Sequence, residues 1–289
     1  MIRTILAPMA GGGSKPALTA SLAVARLFNG HIECLHTRPD VAEIVARTSS
    51  YYMGTPVIVS NLYEAFQKED EVLAKRARAM FEQWRKDADI PESDTPPGAH
   101  GVTCHWAETV GDVQRRVVAR ARFHDLTVVD NGRAHSSPEL TSALLSGSGR
   151  PLLLAPETMP EQLLDTVAIA WKETAEAARA VTAAMPLLAK ARRIVVVSAD
   201  EEGRKSLDCV ECTDKLVRQF EWHGFNVEGR FVLPGGRSVA KTIIDTAHEV
   251  KAGLVVMGGY SHSRAREFIF GGVTQEVLNG VKLPVLMAH

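Results

Sequence analysis

The property that most constrains this chain is that its second half can be laid over its first. The run Thr4-Ile5-Leu6-Ala7-Pro8 has a counterpart in Thr166-Val167-Ala168-Ile169-Ala170-Trp171; each is too short for a helix and suits a strand buried on both faces. Ala/Leu-rich segments with helical spacing follow, Pro16 to Phe28 and Ala175 to Leu188. The runs His31-Ile32-Glu33-Cys34-Leu35-His36 and Arg193-Ile194-Val195-Val196-Val197-Ser198 come next, strand-like and, in the second copy, β-branched. Long charged helices are expected over Leu62 to Lys86 and about Ser206 to His223, where apolar residues recur every three or four positions. A strand, a helix and a strand then appear as Val102 to Trp106, Val113 to Phe123 and Leu126 to Val129, matched by Val227 to Val232, Val239 to Val250 and Leu254 to Met257. Each half closes on a helix, a proline and an apolar run, Pro151-Leu152-Leu153-Leu154 and Pro284-Val285-Leu286-Met287.

Strands alternating with helices in this way predict an α/β fold, with a parallel sheet covered on both faces by right-handed crossovers. A chain of 289 residues exceeds the usual size of one domain. The segment Pro156-Glu157-Thr158-Met159-Pro160-Glu161 interrupts the pattern, which sets domains at 1–156 and 162–289. The stretch Pro39 to Ser60 has no partner in the second half, and a helical excursion and a surface loop are equally open there.

Charge narrows the function classes. With a formal net charge of −1 there is no basic field for gripping nucleic acid phosphates. No apolar stretch approaches a membrane span, and the start Met1-Ile2-Arg3-Thr4-Ile5-Leu6-Ala7 has neither the cationic region nor the long apolar core of a signal peptide. A cytoplasmic location is the expectation, and the sparse cysteines, Cys34, Cys104, Cys209 and Cys212, suit a reducing compartment. Cys209-Val210-Glu211-Cys212 has metal spacing but no second Cys or His pair to complete a site, so ordinary helix cysteines are expected.

No Walker lysine pattern, Gly-x-Ser-x-Gly elbow or His-Glu-x-x-His motif occurs, and no catalytic residue is assigned. Ten histidines are scattered along the chain. Tertiary contact is the route by which His36, His105 or Asp130 would gather near the strand ends of the first half.

The segment richest in site chemistry is Leu254-Val255-Val256-Met257-Gly258-Gly259-Tyr260-Ser261-His262-Ser263-Arg264, leading to Phe270-Gly271-Gly272-Val273-Thr274-Gln275. A strand runs into glycines, and a second glycine pair opens a helix after a basic loop. Glycine allows positive φ and close approach to an anion, while free amides at a helix start carry the positive end of the dipole. His262, Arg264 and Arg266 would supply cationic partners for phosphate. The plainer alternative is a tight turn carrying solvated loop charges.

This arrangement resembles the universal stress protein family, whose nucleotide-binding members carry Gly-x-x-Gly, nine residues, then Gly followed by Ser or Thr. The resemblance implies two tandem doubly wound, open, parallel-sheet domains, Rossmann-like with strand order 3-2-1-4-5. It also implies that the last strands of the two halves join them into an intramolecular pseudo-dimer. The first and fourth strands of a domain would then be neighbours, with Ala170-Trp171-Lys172 beside Gly258-Gly259 at the switch point. The implied ligand is ATP or another adenine nucleotide, with magnesium. The implied contacts are Ala170, Trp171, Lys172, Gly258, Gly259, Ser261, His262, Arg264, Gly271, Gly272, Val273 and Thr274.

Departures from the family pattern bear on that ligand. Ser261 replaces the second glycine, and its Cβ makes a left-handed backbone less favourable by roughly 1 kcal/mol. Gly272 stands where a hydroxyl residue is usual, and Lys172 lies where relatives place an aspartate. Lysine accepts no hydrogen bond from adenine or ribose, but it can pair with phosphate. Trp171 has two readings, core packing or an aromatic wall for a ligand. A bulky residue at Gly258 would be expected to abolish binding and leave the fold intact.

In the first half the matching positions read Val129-Asp130-Asn131-Gly132 and Leu145-Ser146-Gly147-Ser148. Asp130 would repel phosphate, and Gly147 looks like a helix end because Pro151 follows at once. The tip Met9-Ala10-Gly11-Gly12-Gly13-Ser14 lacks the acidic residue too. One ligand site at most is expected, in the second half of a stress-response or signalling module. The alternatives are an interaction or assembly module without nucleotide, including a homodimer, and a slow nucleotide hydrolase.

Overall fold

The computed structural model describes residues 1–9, 13–52, 56–96, 101–131, 138–199, 206–259 and 281–289. The elements run β1 (Thr4–Pro8), α1 (Lys15–Phe28), β2 (His31–Arg38), α2 (Val41–Tyr52), α3 (Pro56–Asp87), β3 (Thr103–Val110), α4 (Val113–Ala121), β4 (Leu126–Asp130), α5 (Pro138–Gly147) and β5 (Leu152–Ala155). They continue with β6 (Thr166–Ala170), α6 (Ala175–Leu188), β7 (Arg193–Ala199), α7 (Ser206–Trp222), β8 (Val227–Val232), α8 (Val239–Glu249), β9 (Leu254–Gly258) and β10 (Val285–Ala288). The α/β expectation holds, with helices alternating with strands that are parallel to their neighbours within each half.

The chain packs as two units, Ile2–Thr127, and Val128–His289 with Met1. In the first, β1 pairs with β2 and with the start of β4, and β2 pairs with β3. In the second the order is β5-β10-β9-β6-β7-β8. Among the described residues, the one antiparallel seam joins the last strands of the two sequence halves, with Leu154 opposite Val285, Leu153 opposite Leu286 and Leu152 opposite Met287. All six side chains are buried, so neither strand is left as an apolar edge that would recruit another chain.

Local hydrogen bonds recur from half to half. Met9 N donates to Leu35 O at 2.8 Å just past β1, as Trp171 N does to Val197 O at 2.9 Å just past β6. Asn131 N reaches Ala155 O at 2.8 Å, and Gly259 N reaches Ala288 O at 2.8 Å. The first helix of each half begins on a hydroxyl cap, Ser14 accepting from Ala17 N and Thr174 from Ala177 N, both at 3.3 Å. Such caps satisfy amides that have no partner inside the helix.

In the unmatched stretch of the first half the described residues form α2 and the start of α3, which begins well before the position that its periodicity indicated. Ala77, Phe81 and Trp84 of α3 are buried, the i, i+4, i+7 stripe of a helix lying on a sheet. An ion pair between Arg38, at the end of β2, and buried Asp70 fixes the helix lengthwise at 2.5 Å. Alternation along the strands separates His36 from His105, two of the residues whose gathering by tertiary contact the sequence leaves open. Cys34 is opposite Trp106 in the ladder, and His36 stacks on that indole; His105 is opposite Glu33 and emerges on the other face.

Candidate functional site

The second unit brings two strand tips together. Ala170 is the register partner of Met257 on one side and of Val197 on the other, so β6 lies between β9 and β7. Only Trp171-Lys172-Glu173 separates β6 from the Thr174 cap of α6, and Thr174 N donates to Lys172 O at 2.7 Å to close the turn. Ala170, Trp171 and Lys172 are all half-buried. This is the carboxyl edge of a parallel sheet, where the crossing chain leaves a crevice.

Gly258 ends β9 against the first turn of α6. A Cβ there would lie 2.7 Å from Ala177 N and 2.8 Å from the carbonyl carbon of Glu176. The glycine is therefore required by the approach of strand to helix, and a bulky replacement would not leave the fold intact. Nothing of the kind holds at Gly259, where a Cβ would meet Leu145 and Met287 side chains at an ordinary 3.5 Å. The carbonyl of Gly259 accepts from the His289 ring at 3.0 Å.

Around this edge the polar groups are specific. The Trp171 indole N–H is buried and, among the described residues, has no hydrogen-bond partner; an indole nitrogen can only donate. Glu176, 2% exposed, sits in the first turn of α6 with Arg179 Nη2 3.4 Å from Oε1, where the helix dipole favours a carboxylate. Thr213 of α7 and Ser198 of β7 share a buried 2.7 Å hydrogen bond. Cys212 lies on α7, its thiol donating to Glu173 Oε2 at 3.0 Å.

Of the positions expected in the site, Ala170, Trp171 and Lys172 meet Gly258 and Gly259 at adjoining strand ends. Ser261, His262, Arg264, Gly271, Gly272, Val273 and Thr274 lie outside the described residues. Glu176 was not singled out from the sequence, although an acidic residue two places after a threonine cap is a signal for a carboxylate at a helix start.

In the first half the matching edge holds other chemistry. Gly147 ends α5, as its neighbours suggested, and Asp130 and Asn131 are each 6% exposed. On the α4 face, Arg120 grips Glu33 through two 2.6 Å bonds, with His124 Nε2 3.7 Å from the same carboxylate. His31 Nδ1 lies 2.8 Å from the Thr103 hydroxyl. Burial, foremost, lowers the His31 and His124 pKa values, His105 adding to the effect on His31.

Residues 229–289 match the model of the universal stress protein family. No curated protein matches the chain. Among solved structures, a universal stress protein from Archaeoglobus fulgidus DSM 4304 superposes with a TM-score of 0.68 at 15% identity, covering 99% of this chain and 97% of that one. A functionally unknown protein from Pseudomonas aeruginosa PAO1 gives 0.58 at 14% identity, over 99% and 92%. Such low identities speak for the fold and not for the activity. Residues 229–289 thus match the universal stress protein model in sequence, and over its whole length the chain shares the fold of a solved universal stress protein.

Proposed function

We propose that this protein is a stress-response or signalling module that binds a phosphate-bearing ligand, an adenine nucleotide such as ATP, at the carboxyl ends of β6 and β9. The two domains of the proposal are 1–156 and 162–289, with the working site in the second. The observation that carries it is the buried indole N–H of Trp171, without a partner among the described residues, at a strand tip beside Lys172 and across from the end of β9. A buried donor without an acceptor costs roughly 1–3 kcal/mol, and a ligand oxygen or ring nitrogen would remove that cost. In this reading Lys172 meets phosphate, which replaces the carboxylate-to-base contact of the family by a charge contact. In the same reading Ser261, His262, Arg264 and Gly271-Gly272-Val273-Thr274 complete the ligand set.

Thermal unfolding with ATP, ADP, AMP and cyclic AMP, each with and without magnesium, tests it. Stabilisation should grow with concentration once the dissociation constant is passed, and magnesium should strengthen the response to ATP if the metal bridges its phosphates. No shift with any of the four at millimolar concentration would remove the nucleotide reading. The antiparallel seam of β5 and β10 favours a second reading, an assembly module in which the crevice is vestigial. That reading expects no shift with nucleotide, and a partner captured equally well by a Lys172→Ala variant. Slow hydrolysis enters only if nucleotide is consumed by the purified chain in proportion to its concentration.

A further inference from the structure

The first unit contains a donor set with no part in the proposed nucleotide site. His36 is 3% exposed and its Nδ1 lies 3.0 Å from the carbonyl oxygen of Met9. A carbonyl only accepts, so Nδ1 carries the proton and Nε2 presents its lone pair. That Nε2 is buried and, among the described residues, has no hydrogen-bond partner. An imidazole whose proton-bearing nitrogen is held by a backbone carbonyl, with the other nitrogen unoccupied, is oriented as a metal-ligating histidine is.

Two thioethers lie on the same side of the sheet. Ala7 is the ladder partner of Cys34, so alternation sends the side chains of Met9 and His36 out on the face of Ala7 and Cys34. This is the Trp106 face, which α3 covers through Phe81 and Trp84. Gly13, with φ +92°, opens the way into α1; a Cβ placed on it would be 2.6 Å from the Met9 methyl, 3.0 Å from Met80 Sδ and 3.7 Å from Met9 Sδ. The missing side chain of Gly13 thus makes room for the end of Met9, and both sulfurs lie near that point.

We infer that Met9, Met80 and His36 form a binding site for a soft monovalent cation, copper(I), at the carboxyl ends of β1 and β2. Thioether and imidazole donors suit copper(I) and have little affinity for magnesium or calcium. Methionine side chains have the torsional freedom to close on an ion. Among the described residues no three His, Cys, Asp or Glu side chains gather for a metal, so the thioethers are what make this set sufficient. Nearby charge is already balanced: Arg78 lies over the Trp106 ring at 5.3 Å with its guanidinium 2.6 Å from Glu82.

The test uses the full chain with Cys209→Ser and Cys212→Ser, reduced and anaerobic, titrated against copper(I) buffered by bicinchoninate. Tryptophan emission is recorded in parallel, because Trp106 stacks on His36. The expected result is one copper(I) withdrawn per chain with quenched emission. Met9→Leu with Met80→Leu, a pair of volume-conserving changes, should weaken binding about tenfold or more with circular dichroism and melting midpoint unchanged. The inference is overturned if no copper leaves the chelator, or if the affinity survives the double leucine change. Loss of binding on Cys34→Ala with the leucine pair neutral would overturn it too, by assigning the metal to the thiol.

Discussion

At the scale of single residues, two adjacent glycines have different reasons to be glycine. Gly258 faces helix backbone at 2.7–2.8 Å, whereas Gly259 faces side chains at 3.5 Å. Gly258→Ala should therefore destabilise by about 1–3 kcal/mol, the cost of forcing packed backbone apart, while Gly259→Ala should stay within about 0.5 kcal/mol among its described neighbours. Urea denaturation of the two variants decides this, and equal midpoints would refute the packing assignment. The consequence is practical. A loss of ligand binding in a Gly258 variant reports on the α6 contact as much as on any anion, so Lys172 and Trp171 are the positions at which binding is probed cleanly. The sequence placed both glycines at a strand end but held no sign of which helix presses on them, because that contact joins residues far apart in the chain.

At the scale of elements, the packing of α4 onto β2 and β1 sets a pH response. His124 is buried beside the Glu33–Arg120 pair, and His31 faces Thr103 on the same surface, with Glu33, Arg120, Asp125 and His105 as the charged or titratable groups around them. Both histidines have folded pKa values below their ordinary 6.5. The unfolded chain then binds more protons than the folded one as pH falls through and below that value. Their contribution to stability is complete above about pH 7 and is lost on acidification. Melting midpoints from pH 7.5 down to 5.5 should fall, and His124→Gln should flatten the fall; an unchanged slope in that variant would assign the response elsewhere. Element boundaries were legible wherever a period was strong: β1, β6, α6 and β8 fall where the apolar runs and helical spacing put them. Pro39 to Ser60 was not, because short apolar patches flanked by polar residues fit a loop as well as a helix, and the contact between α2 and α3 is not visible in the sequence.

At the scale of the whole molecule, repetition in the sequence accounts for the strand order within each half, and the apolar Leu152-Leu153-Leu154 and Val285-Leu286-Met287 runs account for the seam that both halves complete. The chemistry did not repeat with the architecture. Where the second half presents Trp171 and Lys172 past its first strand, the first presents Met9, its carbonyl held by a buried histidine. An unpartnered indole and an unpartnered imidazole nitrogen cannot be read from a linear string, since each is defined by what three-dimensional packing fails to bring to it. The central claim is that the crevice past β6 and β9 binds phosphate through Lys172. Isothermal titration of the full chain with ATP and with inorganic triphosphate tests it most directly, alongside Lys172→Ala. The account predicts saturable binding of ATP, detectable competition by triphosphate, and affinity about tenfold lower in the variant, the loss of one charge-assisted contact. Absence of binding at millimolar ATP, or equal affinities for the native chain and Lys172→Ala, would contradict it.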